Sequence, residues 1–244
     1  MNNPNYGRVV VGLVKAEGRG IVLQGIAWKC HNLWQGCILA SIAHAIDTAH
    51  NPEFAHEQSW DGCNYNVQNT SGTRGTVTFQ SEYMVAAFRN EHSERLRHAK
   101  DALDYLIDSP DEVKSLAEQE TLQYLLDDVD GQTVPLITTA FWGDGEGIYS
   151  QDAMGDMLEN GGFLLERQAL DADHAINEWQ AYYDMSETQT ILLRSLFKRK
   201  IEAPSEVLVL TREEIQLIGS EDEAGLAESR ISFEEIGMKW EGDV

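Results

Sequence analysis

The chain has 244 residues, a formal net charge of -23 at pH 7, 42% hydrophobic and 9% aromatic residues, and three cysteines. That length buries a large core without covalent staples, and the apolar content is that of a folded chain rather than of an acidic disordered one. A negative field of this size repels nucleic acid and anionic lipid and draws in basic surfaces, so neither nucleic acid nor membrane is expected as a partner.

The charge is unevenly placed. Residues 1–100 hold nine Lys/Arg against eight Asp/Glu, a balance of +1, whereas residues 101–244 hold nine against thirty-three, a balance of -24. Cys30, Cys37 and Cys63 are odd in number and form no CxxC pair. That speaks against a disulfide framework and for a reducing, cytoplasmic setting. Met1-Asn2-Asn3-Pro4-Asn5-Tyr6 lacks the basic start and apolar run of an export signal, and no apolar stretch reaches the length of a bilayer span.

In chain order, Arg8–Val14 and Gly20–Ile26 are β-rich and separated by the turn-prone Glu17-Gly18-Arg19, which predicts a hairpin. From Leu33 to His50 apolar residues come too densely for one stripe, and Ser41, His44, Asp47 and Thr48 share one helical edge. This predicts a helix buried on most sides. Ser59–Val67, Thr76–Phe79 and Tyr83–Phe88 alternate between Gly/Asn-rich turns and predict an antiparallel meander. Residues 1–100 therefore read as a sheet carrying one buried helix.

Past Arg89 the period lengthens to that of a helix, predicted over 93–107 and again from Pro110 to Asp128. Ser109, Pro110 and Glu112 supply the second helix with an N-cap, a first-turn proline and a capping-box glutamate. Val134–Trp142 reads as one strand whose Pro135 suits an edge or a strand start. A glycine-rich loop and further helices follow. The clearest runs from Glu187 to Lys200, with Ser186 and Gln189 as its capping box and Arg194, Lys198, Arg199 and Lys200 toward its cation-favouring end. Glu206–Leu210 predicts a strand, Thr211 and Glu214 cap a short helix, and Ile231–Trp240 is β-prone. The expected class is α+β: an antiparallel sheet with a buried helix in residues 1–100, then an acidic, mostly helical region with additional strands in 101–244, packed as one globular unit.

Cys37 follows Trp34-Gln35-Gly36 near the predicted start of the buried helix, where a helix terminus lowers a thiol pKa. A cysteine nucleophile also needs a histidine base. His44 lies two turns along the same helix, out of reach, so a base such as His174 would have to come from elsewhere. A buried structural thiol is the favoured reading of Cys37, since catalytic thiols are rare among buried ones. His44, His50 and His56 are spaced six apart and scatter around a helix, unlike paired zinc ligands. Asp144-Gly145-Glu146-Gly147 places Ile148 and Gly155 where a calcium loop requires oxygen. Gly143, Gly145 and Gly147 have neither the Walker lysine nor dinucleotide spacing, and their acidic neighbours repel phosphate. No metal or cofactor is expected. Carboxylates imitating DNA phosphates would form unbroken rows, whereas Lys114, Arg167 and Arg194 to Lys200 interrupt these.

Ser59-Trp60-Asp61-Gly62-Cys63-Asn64-Tyr65, Gly72–Phe79 and Val85–Phe88, together with Val134–Ile137 and Ala140–Trp142, resemble uncharacterised bacterial proteins of toxin and conflict gene neighbourhoods, including immunity-type proteins. The likeness covers about half the chain and carries over no functional residue. It implies a protein that neutralises a basic nuclease or other toxin by plugging its active site with an acidic face. The expected function is thus an acidic binding or inhibitor protein for a positively charged partner. Its contact residues are expected to be the aromatic Trp142 and Tyr149 with Asp144, Glu146, Asp152 and Asp156. A cysteine-dependent hydrolase or transferase built on Cys37 and a structural or adaptor subunit are the alternatives.

Overall fold

An apolar run with no polar face has to be enclosed, and Cys30–Thr48 forms the helix, α1, around which the chain wraps. The computed structural model describes residues 23–242. The polar edge of α1 is satisfied internally: Ser41 Oγ donates to Cys37 O at 2.9 Å, Thr48 Oγ1 to Ala45 O at 3.1 Å, and Asp47 accepts from Asn51 at 2.9 Å. Helix carbonyls for the two hydroxyls and the Asn51 amide for the carboxylate thus replace the water that these groups lose.

Beside α1 lies a seven-stranded antiparallel sheet in the order β1-β9-β8-β5-β4-β3-β2, with β1 Gln24–Ile26, β2 Gln58–Asp61, β3 Asn64–Gln68, β4 Thr73–Phe79, β5 Met84–Asn90, β8 Thr139–Gly143 and β9 Ile148–Ser150. β2 to β5 form the meander expected from their alternation. Successive residues face opposite layers. Tyr65, Val77, Phe88 and Phe141 pack toward Leu33 and Cys37 of α1. Val85, Ala87, Ala140 and Trp142 pack on the other side against Tyr105, Leu106, Val113, Leu122 and Leu125. A third cluster joins α1 to α4 Ala172–Tyr182, α5 Glu187–Glu202, α6 Arg212–Ile218 and α7 Glu223–Glu235. Charge balance changes at residue 100, yet the sheet runs across that point because β8 and β9 are inserted between β5 and β1.

α5 carries the predicted Ser186–Gln189 capping box and α6 the predicted Thr211–Glu214 box. Other elements differ from expectation. β1 pairs with β9, and the strand expected over Arg8–Val14, with the predicted hairpin, lies outside the described residues. The helix expected over 93–107 is two 3-10 turns, Glu94–His98 and Ala102–Leu106, each started by its own cap, Ser93 on Arg95 N and Asp101 on Leu103 N. The helix expected to Asp128 stops earlier: α2 covers Asp111–Gln119, a 3-10 turn spans Thr121–Leu125, and β6 Leu126–Val129 pairs with β7 Gln132–Pro135. Ser109 does not cap α2, because its hydroxyl donates to Leu106 O at 2.7 Å. Glu120 and Thr121 turn to the sheet instead, meeting Asn64 and Thr78.

The predicted strand over Val134–Trp142 is cut into β7 and β8. At the break Leu136 N donates to Leu125 O and Thr138 N to Phe88 O, so the backbone changes partners. Ile231–Trp240 is half helix: α7 continues to Glu235, and Gly237, at φ 68°, releases the chain into the strand β11 Met238–Trp240 beside β10 Leu208–Leu210. Phe233 and Ile236 are buried in the cluster around α1, and that burial overrides their β propensity.

Candidate functional site

The loop Asp144–Gly147 is folded by its own aspartate. Asp144 carboxylate accepts from Glu146 N at 2.8 Å and Gly147 N at 3.0 Å, and Asp144 N donates to Gly147 O at 3.0 Å. Cys30, the first residue of α1, donates its thiol to Asp144 O at 3.4 Å. Burial and the Asp144 charge push that thiol pKa up. The loop forms one wall of a cleft of about 830 Å³, faced by Lys29, His31 and Trp34 and by the β4–β5 turn with Glu82 and Tyr83. Glu82 is an exposed carboxylate beside this cleft that sequence reasoning missed, because only the sheet brings the two turns together.

The residues expected to meet a partner are divided by this arrangement. Asp144, Glu146 and Tyr149 lie near one another, and both carboxylates help push the Tyr149 phenol up, after burial as the main cause. Trp142 is 6% exposed; its ring meets Tyr149 in a tilted contact at 4.8 Å between centroids. Asp152 follows the other end of β9 and accepts from Arg95 Nη1 and Thr139 Oγ1, both at 2.6 Å. Asp156 is exposed on α3 Met154–Glu159, away from the loop.

Cys37 is fully buried, and burial holds its thiol well above the usual range. Neither candidate histidine bonds to it. His174 pairs with Asp171 at 2.6 Å, at the start of α4, and His44 bonds Tyr183 and Ala55. Among the described residues no group of three His, Cys, Asp or Glu side chains is placed to hold a metal ion.

A second cleft, of about 790 Å³, opens between α4 and the ends of β2 and β3, floored by residues 163–170. Beneath it runs a ladder of side-chain hydrogen bonds. Gln168 Nε2 donates to Tyr65 Oη at 3.0 Å, Tyr65 Oη to Gln58 Oε1 at 2.9 Å, and Gln58 Nε2 to Tyr183 Oη at 3.1 Å. Tyr183 Oη then meets His44 Nδ1 at 3.3 Å, and His44 Nε2 meets Ala55 O at 3.3 Å. A carbonyl only accepts, so His44 carries its proton on Nε2 and accepts a hydrogen bond from the Tyr183 hydroxyl at Nδ1. Burial agrees with this neutral form, lowering the His44 pKa to about 4. All five links point the same way, from the cleft floor to the helix. Gly36 lets this floor approach α1, since a Cβ there would overlap the Gln168 carbonyl.

The only local trace of this cleft in the sequence is Trp179, Tyr182 and Tyr183, whose spacing puts three rings on one helical face. The ladder itself joins residues up to 139 apart and leaves no such trace. No helix among the described residues is long and apolar enough to cross a membrane. Comparison with protein-family models, curated proteins and solved structures finds no match, so the likeness to immunity-type proteins stands on the quoted motifs alone.

Proposed function

We propose that the protein works by binding, docking a positively charged protein such as a toxin in the manner of an immunity-type inhibitor, with the Asp144–Gly147 cleft as its focus. One observation carries this reading: six of the nine cations of the acidic region are ion-paired or buried, Arg230 with Glu234 at 3.1 Å among them. Arg194 pairs with Asp173 at 2.5 Å, Arg199 with Glu214 at 2.5 Å, Lys114 with Asp111 at 3.8 Å and Lys198 with Glu202 at 4.0 Å. Lys200 is buried. Nine cations against thirty-three carboxylates leave a large uncancelled excess on the outer surface. Such complementarity chiefly raises association rate and specificity. The buried, protonated Cys37 supports binding over thiol chemistry.

Affinity capture from native cells at low salt tests the reading when run beside the variant Glu82→Lys/Glu146→Lys. The expected result is a basic protein retained by the native chain, lost from the variant and released by salt. A neutral or acidic partner held equally by both would contradict it.

A further inference from the structure

We infer that the second cleft, between α4 and the ends of β2 and β3, is a binding site for an organic cation bearing N–H donors, a guanidinium or a primary ammonium. Three independent features of the cleft point to this chemistry. The first is its aromatic wall. The Arg167 guanidinium carbon lies 4.1 Å from the Tyr182 ring centroid and 5.3 Å from that of Trp179. Arg167 thus shows that these rings hold a planar cation and covers part of their faces, leaving an incoming cation the exposed part of Tyr182. Tyr182 is 49% exposed and can reach an incoming group.

The second feature is an orphan acceptor. Gln168 lines the cleft floor at 1% exposure, its Nε2 is fixed by Tyr65, and its Oε1 has no hydrogen-bond partner. A buried carbonyl without a donor costs free energy. Trp179 Nε1 is also without a partner, and both atoms are closed off from solvent, so a ligand meets them only where the floor side chains give way. The third feature is charge. Glu57, Glu166 and Glu178 line the cleft, and none makes an ion pair among the described residues. Among the described residues Arg167 is the one Lys or Arg in its lining. Burial, reinforced by nearby Asp47, holds the Glu57 carboxyl above its usual range, the state that an entering cation would relieve.

The site does not depend on the acidic-face reading, since it lies on other elements and takes a small group. The chemistry has two sources, a free amine or an arginine or lysine residue of another chain. The test is titration of the full chain with N-acetyl-arginine amide, its neutral isostere N-acetyl-citrulline amide, and agmatine, followed by the NMR signal of the Trp179 indole N–H. The arginine probe should shift that signal saturably with a Kd of about 1 mM or tighter. The citrulline probe should bind about tenfold more weakly, and Glu57→Gln/Glu178→Gln should weaken arginine about threefold or more with an unchanged melting temperature. Tighter binding of the acetylated amide than of agmatine would assign the source to a residue of a chain, and the reverse order to a free amine. No saturable shift, or equal binding of arginine and citrulline, overturns the assignment.

Discussion

The two clefts are nearly equal in size, about 830 and 790 Å³, and are built in opposite ways. The first has walls of turn backbone, and its organising contacts span two or three residues, from Asp144 to Glu146 and Gly147. The second is held by side chains that meet across the whole chain, Gln168 on Tyr65 and Tyr183 on His44. A wall made of local turns can tolerate change without altering the core. A floor made of a buried ladder cannot, because each lost partner leaves another polar group unsatisfied. The first cleft thus suits variable surface contact, and the second a fixed recognition geometry.

Glycine replacements probe this difference most strongly. Gly36→Ala should lower stability by about 3 kcal/mol in chemical denaturation, because the new methyl overlaps the Gln168 carbonyl. Gly145→Ala, in the loop of the first cleft, meets nothing within 4 Å and should change stability by less than about 0.5 kcal/mol. Equal effects at the two sites would erase the distinction.

Proton linkage gives the next effect. The His44 pKa is about 4 in the folded chain against 6.5 as its ordinary value. The unfolded chain therefore binds the extra proton first. The stability tied to neutral His44 is complete above pH 6.5 and is lost as pH falls toward about 4. The shift corresponds to about 3 kcal/mol over that window. Asp47, whose carboxyl burial raises, acts in the opposite direction. Denaturation of His44→Gln beside the native chain isolates the histidine, and the variant should show the flatter profile as pH falls.

A smaller loss, about 2 kcal/mol, is expected for Gln58→Leu, which removes the link between Tyr65 and Tyr183. Combined with Tyr183→Phe, the two losses should fall short of additivity by about 1 kcal/mol, as for members of one network. Full additivity would mean that the ladder is a set of separate bonds.

What could be seen in the sequence was what is decided locally. Alternation marked the meander, and a Ser or Thr with Gln or Glu three residues on marked the starts of α5 and α6. The run from Ser93 to Ile107 failed as one helix because two caps, Ser93 and Asp101, each start a separate turn. The stretch from Ile231 misled because Phe233 and Ile236 find helical burial against α1. The loop carboxylates of the first cleft could be counted directly. Glu82 beside them, and the partners beneath the second cleft, depend on strand pairing across long separations, where residue spacing carries no signal.

The central claim, that a basic partner docks at the loop cleft, is tested most directly by association rates measured on the basic protein retained in the capture experiment. Two variants with the same change of net charge are compared: Glu82→Lys/Glu146→Lys at the cleft and Glu221→Lys/Glu223→Lys at the exposed lead into α7. Asp144 is left intact because its carboxylate folds the loop. At low salt the cleft variant should associate about tenfold more slowly than the distal one, with the gap closing as salt screens the charges. Equal slowing by the two variants would contradict the account and leave the acidity as a property of the whole surface.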